Sequence, residues 1–148
     1  MVVKEIEIDA PPEVVFGYLT DPDKMVLWLG LAAELDPRPG GIFRVDPNGR
    51  DVLRGEFVEV VPYSRVAFTW GYEDPAHRVR AGSTLVTIEL RANGTGTRLR
   101  LVHSGLPEGP PREGHEQGWA HYLGRLRIAA TGGDAGPDPL AETTVRHG

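Results

Sequence analysis

The chain has 148 residues, with 16 Lys and Arg against 21 Asp and Glu, a net charge of −5, 40% hydrophobic and 25% charged residues. That is the length of one domain and the composition of an ordinary globular one. The acidic balance argues against nucleic acid as a partner, which needs a basic footprint. Cysteine is absent, which excludes disulfides, thiolate nucleophiles, iron–sulfur clusters and Cys-ligated zinc. The opening MVVKEIEIDAPP has no apolar signal core, and no window approaches a membrane-spanning run of about 20 apolar residues. A cytoplasmic location and no membrane partner are therefore expected. All basic residues except Lys4 and Lys24 are Arg; an Arg-lined site and codon bias in a GC-rich bacterial genome explain this equally well.

The segment VVKEIEI alternates, with Val3, Glu5 and Glu7 on one side and Lys4, Ile6 and Ile8 on the other, which reads as a strand. Asp9-Ala10-Pro11-Pro12-Glu13 starts a helix, with proline in its first turn and an acid nearby. That helix runs to about Leu19 and stops at Thr20-Asp21-Pro22. Asp21 and Pro22 cap a second short helix that carries Met25, Trp28 and Leu29. From residue 40 the pattern has period two. Gly41 to Val45 reads as a strand, Asp46-Pro47-Asn48-Gly49 as a hairpin turn with the Asn-Gly signal, and Asp51 to Val61 as the return strand. Pro62 to Arg65 turns again, and Arg65 to Tyr72 is the next strand. Residues 73–82 form a polar loop. Ser83 to Arg91 and Thr97 to Ser104 are strands joined at Asn93-Gly94. After a Gly- and Pro-rich connection, Trp119, Tyr122, Leu123 and Leu126 fall at helical spacing in a stretch from about Arg112 to Thr131. Gly132-Gly133 ends it. The tail from residue 133 has little to bury and is expected to be loosely held.

Strands joined by short turns give an antiparallel meander, and the one apolar face of the last helix must bury itself against that sheet. At this point the sequence resembles the START-like, or polyketide cyclase-like, superfamily, and within it the branch of the activator of heat-shock-protein ATPase homologue. Four patterns carry the resemblance: Ile8-Asp9-Ala10-Pro11-Pro12-Glu13-Val14-Val15-Phe16 with Leu19, Thr20 and Trp28; Pro39-Gly40-Gly41-Ile42-Phe43; Gly55-Glu56-Phe57 to Pro62 and on to Arg65-Val66-Ala67-Phe68-Thr69-Trp70; and Thr97-Arg98-Leu99 to His103-Ser104-Gly105, followed by Gly118-Trp119 and Tyr122-Leu123. They cover about residues 3–131 in order. The resemblance implies an α+β helix-grip fold over residues 1–132: a curved six-stranded antiparallel sheet wrapped around the long C-terminal helix, with two short helices after the first strand. It implies a cavity between sheet and helix. Members of the superfamily bind lipids, hormones or polyketides, a minority catalyse reactions, and some act on a chaperone. The chain lacks the additional N-terminal domain of the eukaryotic chaperone activator, which lowers the expectation of a chaperone role.

Alternation assigns side chains to faces. Val66, Phe68, Trp70 and Tyr72 share one face of their strand, and Leu99, Leu101 and His103 share one face of theirs. Val86, Ile88 and Leu90 line the strand between, and Phe43 and Val45 the first hairpin strand. For 51–61, Leu53, Gly55 and Phe57 share one face and Val58 and Val60 the other; a bulge would bring both sets inward. The expected ligand-binding set is Trp28, Phe43, Phe57, Phe68, Trp70, Tyr72, His103, His115, Trp119, Tyr122 and Leu123, against the alternative that each aromatic is plain core packing. His103 ends an inward row of leucines and is either a functional group or a satisfied core histidine. His115 lies one helical turn before Trp119 and reaches the same end of the cavity. His121 lies about 240° round the helix from His115, so the two cannot share a metal, and no metal is expected.

Three functions follow in order of preference. The first is a binding or carrier protein for a small hydrophobic or aromatic ligand. The second is a cofactor-free cyclase- or hydratase-type enzyme in which His103 or Tyr72 polarises a carbonyl or moves a proton. The third is a chaperone-regulating interaction module. A homodimer is left open.

Overall fold

The computed structural model describes residues 1–136 and 138. In chain order the elements are β1 (Val2–Ile8), α1 (Pro12–Thr20), α2 (Pro22–Met25), β2 (Ala32–Leu35), β3 (Ile42–Asp46), β4 (Leu53–Val61), β5 (Arg65–Trp70), β6 (Thr84–Asn93), β7 (Gly96–Ser104) and α3 (Pro110–Ala130). The strands form one antiparallel sheet in the order β1-β7-β6-β5-β4-β3-β2, a meander whose last strand pairs with the first. The sheet curves around α3, which makes this a helix-grip fold.

The expected six strands are seven. The additional one, β2, pairs with β3 from Ala32↔Asp46 to Leu35↔Phe43 and forms an edge of the sheet. Its four residues are too few, and two of them too small, to register as an alternating apolar pattern; Ala32 and Glu34 are exposed. The second helix is also shorter than expected. Asp21 accepts a hydrogen bond from the Asp23 amide at 2.9 Å, but the helix closes after one turn. Trp28 and Leu29 follow it in turn geometry and are still almost fully buried. The indole of Trp28 donates to the Tyr18 carbonyl at 2.9 Å.

The β4 register slips between Phe57 and Glu59, so that Phe57 faces Phe68 while Val60 faces Val66. This bulge settles the ambiguous strand. Val58 is the extra residue and is exposed, whereas Phe57 and Val60 both turn inward. The inward rows of β5, β6 and β7 are those expected from alternation: Val66, Phe68 and Trp70; Val86, Ile88 and Leu90; Leu99, Leu101 and His103. Ala67, on the other face, is buried as well. The β3–β4 connection is longer than a tight hairpin. The Asp46 carboxylate accepts from the Asn48 and Gly49 amides, and the Asn48 side-chain oxygen accepts from the Arg50 and Asp51 amides, which holds residues 47–52 as a structured turn.

The C-terminal half of helix α3 is tied down by buried small residues and several hydrogen bonds. Ala129 and Ala130 are buried, and the Tyr18 hydroxyl donates to the Ala129 carbonyl at 3.0 Å. Arg127 donates to the Glu7 carbonyl and Arg125 to the Trp28 carbonyl, each at 3.1 Å. Arg125 also donates to the carbonyls of Ala135 and Gly136, and His121 bonds the Asp138 carboxylate at 2.9 Å. Of the expected loose tail, residues 137 and 139–148 lie outside the described residues.

Candidate ligand-binding site

Where the N-terminal half of α3 passes over the sheet, a cavity of about 350 Å³ opens. Its floor is Leu53, Trp70 and Tyr72 from the sheet, and its roof is His115, Trp119 and Tyr122 from α3. Leu29 closes one side, and the 47–51 turn contributes Asn48 and Asp51. Gly114 and Gly118, one helical turn apart, also border it; a Cβ built on either would meet nothing within 4 Å. Glycine in a helix interior costs roughly 0.5–1 kcal/mol relative to alanine. Here the missing side chains leave the space beside the helix open.

Tyr72 reaches the cavity from just beyond β5. Gly71 lies against the returning chain so closely that a Cβ on it would sit 1.7 Å from the Arg80 carbonyl oxygen. This approach lets Tyr72 bridge both Leu53 and Arg80 and folds the 73–82 loop back onto the sheet. The loop thereby lays His77 on Tyr72, rings 3.8 Å apart and nearly parallel. On the outer face, Glu73 takes Arg44 at 2.7 Å and Arg54 at 3.2 Å and clips the start of the loop to β3 and β4.

The polar groups of this end form two closed chains. His115 donates from Nδ1 to the Pro111 carbonyl at 2.7 Å, so its Nε2 is an acceptor. Nε2 faces the Tyr72 hydroxyl at 3.0 Å and the Trp70 indole N–H at 3.3 Å. His103 has the opposite tautomer. Its Nδ1 accepts the Trp119 indole N–H at 3.0 Å. Its Nε2 donates to the Thr84 hydroxyl at 2.8 Å, because that hydroxyl gives its own proton to the Trp70 carbonyl at 2.7 Å.

Burial keeps these groups neutral. It pushes His103 down to about 3, with the neighbouring His115 adding to the effect. His115 is also lowered, by burial against the opposing pull of the Pro111 carbonyl and with a contribution from His77. Tyr72 is pushed up to about 12, by burial and then by the Asp51 carboxylate. Tyr122 is raised as well, by burial and by Asp138.

Of the residues expected around a ligand, Trp70, Tyr72, His115, Trp119 and Tyr122 border the cavity. Trp28, Phe43, Phe57, Phe68, His103 and Leu123 lie outside its lining. Phe43 stacks on Phe68 with centroids 4.0 Å apart, and Phe57 meets Phe43 edge-on at 5.7 Å; these rings pack on one another. His103 has both ring nitrogens engaged by protein and is fully buried. Sequence reasoning missed Leu29, Leu53, Asn48, Asp51, His77 and the two glycines as wall residues. Of these only the pair Gly114 and Gly118, spaced i, i+4 in an otherwise helical stretch, left a readable signal. Among the described residues, no three His, Asp or Glu come together as a metal site, and no helix is long and apolar enough to cross a membrane.

Comparison with known proteins places this geometry. No protein of curated function matches the sequence. The structure is similar to the solution structure of an AHSA1-like protein from Rhizobium etli, with 50% identity over 93% of this chain and 86% of that one and a TM-score of 0.74. It is similar to the crystal structure of a Mesorhizobium loti protein at 30% identity, over 88% of this chain and 96% of that one, with a TM-score of 0.77. It is also similar to an Hsp90 activator from Plasmodium falciparum at 27% identity, over 86% and 95% of the two chains, with a TM-score of 0.70. The sequence profile described as "Activator of Hsp90 ATPase homolog 1-like protein" matches residues 9–131, and the chain belongs to that family.

Proposed function

We propose that the chain binds a small molecule with an apolar, aromatic-compatible body in the cavity under the N-terminal half of α3, as a binding or carrier protein. The observation that carries this reading is the cavity itself. At about 350 Å³, walled by Trp70, Tyr72, Trp119 and Tyr122, it falls within the roughly 300–1,000 Å³ of ordinary small-molecule sites. A solid core would have few voids larger than water. Trp70 and Trp119 touch at 5.0 Å between centroids, and both border the space, so their emission reports its occupancy. Titration with a panel of aromatic molecules should change that emission saturably. Gly118→Leu, which places a side chain into the gap, should abolish the change while far-UV circular dichroism stays native. Unaltered ligand response in Gly118→Leu would put the binding elsewhere.

The enzymatic reading rests on the contact between Tyr72 and His115. Efficient proton transfer wants groups poised near the working pH. Here the phenol moves up and the imidazole moves down, so the pair is better suited to hold a ligand than to exchange protons with it. A chaperone-directed role finds support in the likeness to the Plasmodium protein but in no feature of this cavity.

A further inference from the structure

We infer that the ligand is a cation, an amine or quaternary ammonium on an apolar body, held against the rings of Trp70, Trp119 and Tyr122 with Asp51 as its counter-ion. This rests on the reading of the cavity as a small-molecule site and adds the charge of the molecule that fits it.

The charge inventory of the walls comes first. Among the described residues that line the cavity, Asp51 is the sole Asp, Glu, Lys or Arg. The nearest guanidinium to it, that of Arg50, is 3.6 Å away, and its side chain is 62% exposed; Arg50 does not line the space. Asp51 is only partly exposed, and its charge reaches the interior, since it contributes to the raised pKa of Tyr72. Asn48 occupies one position on the carboxylate, donating to Oδ2 at 2.8 Å; a carboxylate offers about four such positions.

The remaining groups point the same way. Aromatic rings present negative faces and positive edges. The N–H edges of Trp70 and Trp119 are both taken by histidine nitrogens, so these indoles have no polar donor left for a ligand. The Tyr72 hydroxyl gives its proton to His115 and toward a ligand can only accept. His77 accepts the Val79 amide on Nδ1, which leaves one ring N–H as a donor at the rim. An anion would therefore meet Asp51 and four electron-rich rings, with the ring N–H of His77 and the second amide N–H of Asn48 as the remaining donors. A cation would meet a carboxylate, a phenol oxygen and aromatic rings, the groups with which charge–charge and cation–π attraction operate. The net charge of −5 favours its approach.

The test uses the full chain and three probes of similar size: phenyltrimethylammonium, its neutral analogue tert-butylbenzene, and phenylacetate. Binding is followed by tryptophan emission. Phenyltrimethylammonium should bind about tenfold or more tightly than tert-butylbenzene, the effect expected of about 1.4 kcal/mol from ring and carboxylate together, and phenylacetate should bind weakest. Asp51→Asn, which retains the bond from Asn48, should remove most of the preference, read as the ratio of the phenyltrimethylammonium and tert-butylbenzene affinities within the same variant. Asp51→Glu should keep the preference. Saturable binding of tert-butylbenzene without preference for the cation overturns this inference and spares the cavity reading. An undiminished preference in Asp51→Asn overturns the assignment of the counter-ion. Failure of all three probes to bind overturns both the inference and the function on which it rests.

Discussion

The two closed hydrogen-bond chains make His103 a sensitive point of the core, and its titration can be followed as stability. In the unfolded chain its imidazole titrates near 6.5, whereas burial lowers it to about 3 in the folded protein. Between those values the unfolded state binds a proton that the folded state refuses, so stability rises with pH across the window and falls as the solution is acidified. Each unit corresponds to about 1.4 kcal/mol. Acidification to about pH 4.5, two units below 6.5, should therefore remove about 3 kcal/mol through this residue, and about 4 kcal/mol would be gone near pH 3.

The measurement is urea unfolding of wild type and His103→Leu at pH 7.5 and pH 4.5. At pH 7.5 the variant should be the less stable, because the Trp119 indole N–H loses its partner in a buried site, an omission that costs roughly 1–3 kcal/mol. At pH 4.5 the gap should narrow by about 3 kcal/mol, or invert, since the variant carries no proton-refusing imidazole. His115 shifts in the same direction and is present in both proteins, so only its interaction with His103 enters the difference. A gap that stays constant between the two pH values would refute the reasoning, for it would mean that His103 is protonated or solvated in the folded state.

Leu126 faces the sheet with no exposed surface, and Leu126→Ala should lower unfolding free energy by about 2–5 kcal/mol, measured by the same urea titration. Gly118→Ala should raise thermal stability by up to about 1 kcal/mol, since its Cβ meets nothing within 4 Å; a loss of stability would show that the gap beside it is not free.

Strand alternation carried most of the fold into the sequence. In β5, β6 and β7 the bulky residues fall on every second position and turn into the core, because that face of each strand is buried while the other, Ala67 apart, is not. The signal fails where that asymmetry is weak. Ala32–Leu35 has only half-buried residues on its better side, so an edge strand of four residues leaves no alternating apolar signal. The site was legible in part for a different reason. Trp70, Tyr72, His115 and Trp119 could be placed at one end from period alone, but period does not say whether an inward ring meets a ligand or another ring. Phe43 and Phe68 prove to stack on each other, a contact set by sheet curvature. His77 and Asp51 come from loops whose paths depend on single close approaches, at Gly71 and at the Asn48 turn. No repeating pattern encodes those.

The cavity lies at one end of the fold because the two halves of α3 pack through side chains of different length. At the C-terminal end the buried residues Ala129 and Ala130 are small, and the helix comes close enough for Tyr18 to bond its backbone. Toward the N-terminal end the contacts with the sheet are made by long side chains, Trp119 to His103 and His115 to Trp70 and Tyr72, with glycine between them at 114 and 118. A helix wedged in this way over a curved sheet leaves a gap at the end with the longer spacers. Close packing at one end supplies stability, and the gap at the other supplies room, so the two properties rest on different residues. Leu126→Ala and Gly118→Leu should therefore separate them: the first lowers stability and leaves the tryptophan response to ligand intact, the second blocks the response and leaves the protein folded. If Leu126→Ala abolished ligand response at a temperature where the variant remains folded, the two ends would be coupled and the wedge account would fail.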